Sequence, residues 1–94
     1  EIVITELGTR SQLGSFQRPF VWHLPGVPVD LETQSKYYDA SCQAVKDLVN
    51  GIYWWQVGLD PPEDPASDPG FNPLGKPAEW EIARCYKKPK LNMD

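Results

Sequence analysis

Glu6 closes the run Ile2, Val3, Ile4, Thr5, and a carboxylate at the end of an apolar, β-branched segment demands a reason. Alternate side chains of a strand share a face, so Ile2, Ile4 and Glu6 are expected on one side. If that side lines a closed interior, the Glu6 carboxylate stands at its mouth. A carboxylate so placed suits cleavage of a glycosidic bond. The transition state is oxocarbenium-like, and an anion beside the anomeric carbon stabilises it or attacks it. A retaining reaction also needs a second carboxyl about 5–5.5 Å away to protonate the leaving oxygen. Trp54 and Trp55, in a second apolar run, offer indole faces for the C–H surface of a sugar ring.

Each of these residues has a plainer reading. Glu6 could pair with Arg10 or Arg18. Trp54 and Trp55 point to opposite faces, so at least one is expected to pack under a helix. Trp22 and His23 could line a cleft, but aromatic anchoring of a loop is the simpler role. Arg10 could hold Glu6 ionised or touch substrate, with a surface position as the default. Other chemistries fare worse. His23 has no Ser or Cys nucleophile to serve. Asp60, Glu63, Asp64 and Asp68 do not follow calcium-loop spacing and are interrupted by prolines, so an acidic loop is expected. No metal site and no cofactor are expected. Cys42 and Cys85 lie in expected helices without a CxxC or Cys/His cluster. Buried free thiols are the expectation, with a disulfide between them as the alternative.

The elements that must position these groups follow from periodicity. Ile2–Thr5 and Gly51–Val57 read as strands, the first buried on both faces as in a parallel sheet. Between them, Thr9 to Val29 forms a long loop broken by Pro19, Pro25 and Pro28. A helix follows from about Leu31 to Asn50, with Asp30 as N-cap, a stripe of Tyr38, Cys42, Val45 and Val49, and Asn50-Gly51 as stop. A second long loop, Gly58 to Gly75, leads to a helix opening at Pro77 with Ala78, Ile82, Cys85 and Tyr86 inward. Lys87 and Lys88 suit its C-terminal end, and Pro89 stops it. The order strand, loop, helix, strand, loop, helix predicts an α/β fold of two consecutive β/α units with parallel strands. In β/α barrels active-site groups gather at the C-terminal ends of strands, where Glu6 and Trp54-Trp55 fall.

The totals narrow the partners. The chain has 94 residues, 40% hydrophobic and 23% charged, with a net charge of -4. That charge argues against nucleic acid, which wants a clustered basic surface. The basic tail of Lys87, Lys88 and Lys90 reads as a solvated helix end. No apolar run approaches the ~20 residues of a membrane span, so no membrane partner is expected. No signal peptide is visible, and the compartment stays open, secretion included.

Two stretches carry a resemblance. Ile4 to Ser11, I-T-E-L-G-T-R-S, resembles the seventh-strand motif of clan A glycoside hydrolases, whose strand-end glutamate is the nucleophile. Gly51 to Trp55, G-I-Y-W-W, followed by Gly75 to Glu79, G-K-P-A-E, and a helix with the late Tyr86, resembles the eighth strand and last helix of glycoside hydrolase family 113, known for β-1,4-mannanase activity. The resemblance implies that residues 1–94 are the C-terminal part of a TIM, or (β/α)8, barrel catalytic domain, contributing strands 7 and 8 with their helices. It implies Glu6 as nucleophile and Trp54 or Trp55 as the floor of the sugar site, Trp55 being nearer the mouth. Arg10 and Trp22, read from the residues and not from the resemblance, are the further substrate-binding candidates. The family's acid/base glutamate follows the fourth strand, outside this chain, and Glu63, Glu79 and Glu81 are not replacements. Alone the chain is expected to be inactive and to expose strand edges. Its partners would be carbohydrate and the remainder of the barrel, or complementary chains. The alternatives are a non-catalytic carbohydrate- or protein-binding module and an inactive barrel relative.

Overall fold

The computed structural model describes residues 1–87; Lys88, Pro89 and Lys90, expected to extend and stop the last helix, lie outside the described residues. The elements are β1 (Val3–Leu7), α1 (Leu31–Val45), β2 (Gly51–Trp54) and α2 (Pro77–Lys87), with short 3-10 turns at Ser15–Gln17 and Pro65–Ser67. β1 and β2 pair in parallel, Val3 opposite Gly51 and Ile4 opposite Ile52, and α1 is the crossover between them. The α/β class expected from the alternation of periods is what the chain adopts.

Both helices lie against the sheet through their apolar stripes. Tyr38 and Cys42 of α1, Ala78 of α2, and Ile52 and Trp54 of β2 form the core, with Leu7, Val45, Val49, Ile82 and Cys85 packed around it. Tyr38 lies flat on Trp54, the ring centroids 4.5 Å apart and the planes 12° from parallel. Such a pair adds about 0.5–1.5 kcal/mol beyond its burial, and burial raises the Tyr38 pKa above its ordinary value. Pro77 occupies the first turn of α2, where its missing N–H costs nothing. The Glu79 carboxylate reaches back to accept the Gly75 N–H at 2.8 Å, which satisfies a donor at the helix start.

Several expectations need correction. Cys42 and Cys85 are not free thiols: they form a disulfide, with a Cα–Cα distance of 6.0 Å, that staples α1 to α2 across 43 residues. Periodicity placed each thiol on an inward stripe but could not say that the two stripes face each other. A bridge closing a loop of this length contributes about 2–4 kcal/mol. Second, α1 ends at Val45 rather than Asn50. The Val45 carbonyl accepts from both the Leu48 and Val49 N–H groups, so the helix tightens into a turn. Asn50 then docks on the start of the sheet: its N–H donates to the Ile2 carbonyl at 2.7 Å and its side chain accepts the Ile2 N–H at 3.0 Å.

Third, β1 is not buried on both faces, and Glu6 does not share a side with Ile4. From Ile4 to Leu7 the first strand advances three residues, while its partner advances two, from Ile52 to Trp54. A bulge of this kind reverses the alternation. Ile4 and Leu7 consequently both lie opposite residues that face the helices. Glu6, the exposed neighbour of Leu7, turns to the other face of the sheet. That face is open: Val3 and Tyr53 are exposed. β2 also ends earlier than expected, at Trp54.

Candidate active site

Glu6 and Trp55 occupy the C-terminal ends of adjacent parallel strands. The Trp55 N–H donates to the Leu7 carbonyl at 2.9 Å, extending the ladder one residue past β2. Gly8 makes this approach practicable. A Cβ at position 8 would stand 1.7 Å from the Trp55 carbonyl oxygen, a separation no side chain permits. The glycine of the T-E-L-G stretch thus has a local physical reason: it lets the chain leaving Glu6 run against the backbone of Trp55. The Trp55–Gln56 peptide is cis.

The two adjacent tryptophans separate as their alternation predicts. Trp54 is buried on Tyr38 in the core, so it has no face to offer a ligand. Trp55 is half-buried at the strand end. Trp22, 65% exposed, arrives from the long loop and meets Trp55 edge-on at 6.1 Å, the planes 65° apart. It meets Phe71, from the second loop, at 5.5 Å and 74°. Trp22, Trp55 and Phe71 therefore make an aromatic corner at the end of the sheet to which Glu6 also belongs. His23 is exposed beside it.

Arg10 was expected at the surface, on Glu6 or against substrate, and it lies instead inside the long loop. It is fully buried. Its guanidinium donates to the Arg18 carbonyl at 3.0 Å, to the Gln12 side chain at 3.3 Å and to the Ser15 carbonyl at 3.5 Å. The guanidinium carbon lies 5.4 Å from the centre of the Phe71 ring, a cation–π distance. Burial lowers its pKa, though an arginine stays charged throughout the working range. Arg10 holds the long loop together. Glu6 forms no ion pair among the described residues.

Sequence reasoning missed the polar layer beneath this corner. Thr9, Ser11, Gln12, Ser15, Gln34 and Lys76 are all buried. The Gln34 side-chain amide donates to the carbonyls of Thr9 at 3.1 Å and Phe71 at 3.0 Å, bridging the two loops from α1. Lys76 donates to the Asp68 carboxylate at 2.8 Å, the Ser11 hydroxyl at 3.0 Å and the Gly70 carbonyl at 3.1 Å. Burial pushes the Lys76 pKa down, and Asp68 pulls the other way. A lysine immediately before the helix-opening proline was the available signal, since it stands inside the G-K-P-A-E stretch. Asp68, assigned to a plain acidic loop, is in fact the counter-charge of Lys76. Among the described residues no three His, Cys, Asp or Glu side chains gather as a metal site.

The family model described as Glycoside Hydrolase Family 113 matches residues 1–76. The chain belongs to glycoside hydrolase family 113. Its match covers Glu6, Trp22, Trp55 and Lys76. A solved complex structure of a family 113 β-1,4-mannanase is similar to this chain, with a TM-score of 0.77 and 27% identity. The similarity covers 93% of this chain and 29% of that one, so the chain spans less than a third of the mannanase's length. No curated protein matches the chain.

Proposed function

We propose that these 94 residues are the C-terminal part of a family 113 (β/α)8 barrel, that β1 and β2 are its seventh and eighth strands, and that Glu6 is the nucleophile of a retaining hydrolase of β-linked saccharides, with β-1,4-mannan as the substrate class. The observation that carries this reading is Glu6 itself. Glu6 is exposed near the C-terminal end of β1, past the register shift, and Trp22 meets Trp55 just beyond the same end of the neighbouring strand. Active-site groups of β/α barrels occupy that end. In the reaction Glu6 attacks the anomeric carbon while a second carboxyl protonates the departing oxygen. Water then cleaves the glycosyl-enzyme ester, activated by the same second carboxyl. Trp55 floors the sugar ring and Trp22 walls it.

The second carboxyl comes from outside this chain. Glu79 is engaged at the start of α2, and Glu81 pairs with Arg84 at 2.6 Å on the same helix. The chain on its own is therefore inactive. Its open sheet supports the same reading. Both strands have an unpaired edge among the described residues, and an apolar groove of about 730 Å³ runs between β2 and α2, lined by Tyr53, Leu74, Ile82 and Tyr86. The remainder of the barrel, or complementary chains, would cover them. The α1–α2 disulfide supports an oxidising, extracellular setting.

The test is hydrolysis of β-linked manno-, gluco- and xylo-oligosaccharides by the intact parent protein, with product anomers followed by NMR. Cleavage of manno-oligosaccharides with retention, lost in Glu6→Gln and kept in Glu79→Gln, is expected. Full activity in Glu6→Gln would overturn the nucleophile. Binding without cleavage by a folded parent would replace the hydrolase with a non-catalytic binding module.

A further inference from the structure

The aromatic corner is assembled from two loops that the sheet does not connect. Trp22 belongs to the segment between β1 and α1, and Phe71 to the segment between β2 and α2. The backbones of the two meet at Ser11 and Gly70, where the Ser11 N–H donates to the Gly70 carbonyl at 3.2 Å. Further groups at the meeting point converge on the same pair. The Ser11 hydroxyl donates to the Asp68 carbonyl at 2.6 Å, and the Gly70 N–H donates to the Asp68 carboxylate at 3.0 Å. Lys76 completes the knot with all three ammonium protons engaged, one on each of Asp68, Ser11 and Gly70. Its side chain has no exposed surface, while that of Asp68 is 30% exposed. Phe71 is the next residue after Gly70, and Trp22 stands against its ring.

We propose that Lys76, acting with Asp68 and Ser11, is a positioning residue for saccharide binding: it latches the second loop to the first and so fixes Phe71, the support that sets Trp22 across Trp55. The inference rests on the proposed saccharide site and deepens it. Lys76 touches no substrate. A buried ammonium is costly unless its partners are complete, and a completed set has one geometry. The latch therefore holds two loops in a single arrangement where apolar packing alone would allow several. A neutral side chain of similar length removes three bonds at once and leaves the Gly70 and Asp68 acceptors to water.

The experiment uses the intact parent protein with Lys76→Met, Asp68→Asn and Ser11→Ala. It reads steady-state kinetics on a manno-oligosaccharide and the near-ultraviolet circular dichroism of the coupled Trp22–Trp55 pair. The double variant Cys42→Ser/Cys85→Ser serves as a control that weakens the fold far from the latch. For Lys76→Met, KM should rise about tenfold with kcat little changed, the pattern of binding lost equally from ground and transition states. The coupled-indole signal should fall. Asp68→Asn and Ser11→Ala should show the same pattern more weakly, and they carry the test if Lys76→Met does not fold. The disulfide control should keep both KM and the signal. Folded latch variants with unaltered indole coupling would overturn the proposal, as would a kcat loss without a KM change. If the parent proves inactive, the dichroism still decides the latch while the hydrolase reading fails separately.

Discussion

Behind the sheet, Tyr38, Cys42, Ile52, Trp54 and Ala78 pack as an apolar layer. Beyond its C-terminal end, Thr9, Ser11, Gln34 and Lys76 are as deeply buried, yet almost everything that holds them is a hydrogen bond. The two regions answer to different physics. Burial of apolar surface is non-directional and scales with area, so the helix layer can absorb small shifts. A buried polar layer is directional: loss of one partner strands the others at about 1–3 kcal/mol each. The first layer gives stability, and the second gives one arrangement of the two loops beyond the sheet. An active site needs the second kind of support because its groups must stand in register with a reacting bond.

The comparison can be broken at the point where the two regions join. Gly8→Ala places a methyl in the Trp55 carbonyl, and at least about 4 kcal/mol of stability should be lost, or folding altogether, as read by urea unfolding of the parent. A clean, stable Gly8→Ala protein would contradict the close approach. The adjacent tryptophans come next. Trp54→Ala should cost about 3–5 kcal/mol by opening a cavity on Tyr38. Trp55→Ala should cost far less stability and raise KM instead. If the two variants behave alike in unfolding and in kinetics, the division into core and site is wrong. Removing the disulfide as Cys42→Ser/Cys85→Ser should lower stability by about 2–4 kcal/mol, measured by calorimetry, with KM for manno-oligosaccharide unchanged. The smallest effect is expected of Trp22→Ala. Its exposure predicts a stability change under about 1 kcal/mol, with saccharide binding weakened several-fold by titration calorimetry.

What the sequence revealed divides along the same boundary. The apolar layer was legible because periodicity reports it directly. Tyr38 and Cys42 recur one turn apart, Ala78 and Ile82 repeat the spacing in the last helix, and the strand between them is a short apolar run. Glu6 stood out for the converse reason, a charge closing an apolar strand. The polar layer has no period. Ser11 and Lys76 are 65 residues apart, and nothing in either neighbourhood announces a buried contact. Arg10 reads as a surface residue until the loop that wraps it is seen. The bulge before Leu7 was also hidden, because Ile2 to Thr5 is a regular run, and a slip of one residue there leaves composition unchanged while reversing the side chains beyond it. Cys42 and Cys85 lay between the two cases: each inward position was readable, their pairing was not.

The central claim is that Glu6 forms the covalent bond to sugar. The most direct measurement is mass spectrometry of the intact parent protein after reaction with a 2-deoxy-2-fluoro-mannosyl fluoride, which slows breakdown of a glycosyl-enzyme ester. The account predicts a single adduct on the peptide carrying Glu6, absent in Glu6→Gln. An adduct on another carboxylate, or turnover of mannan with inversion and no adduct at all, would contradict it.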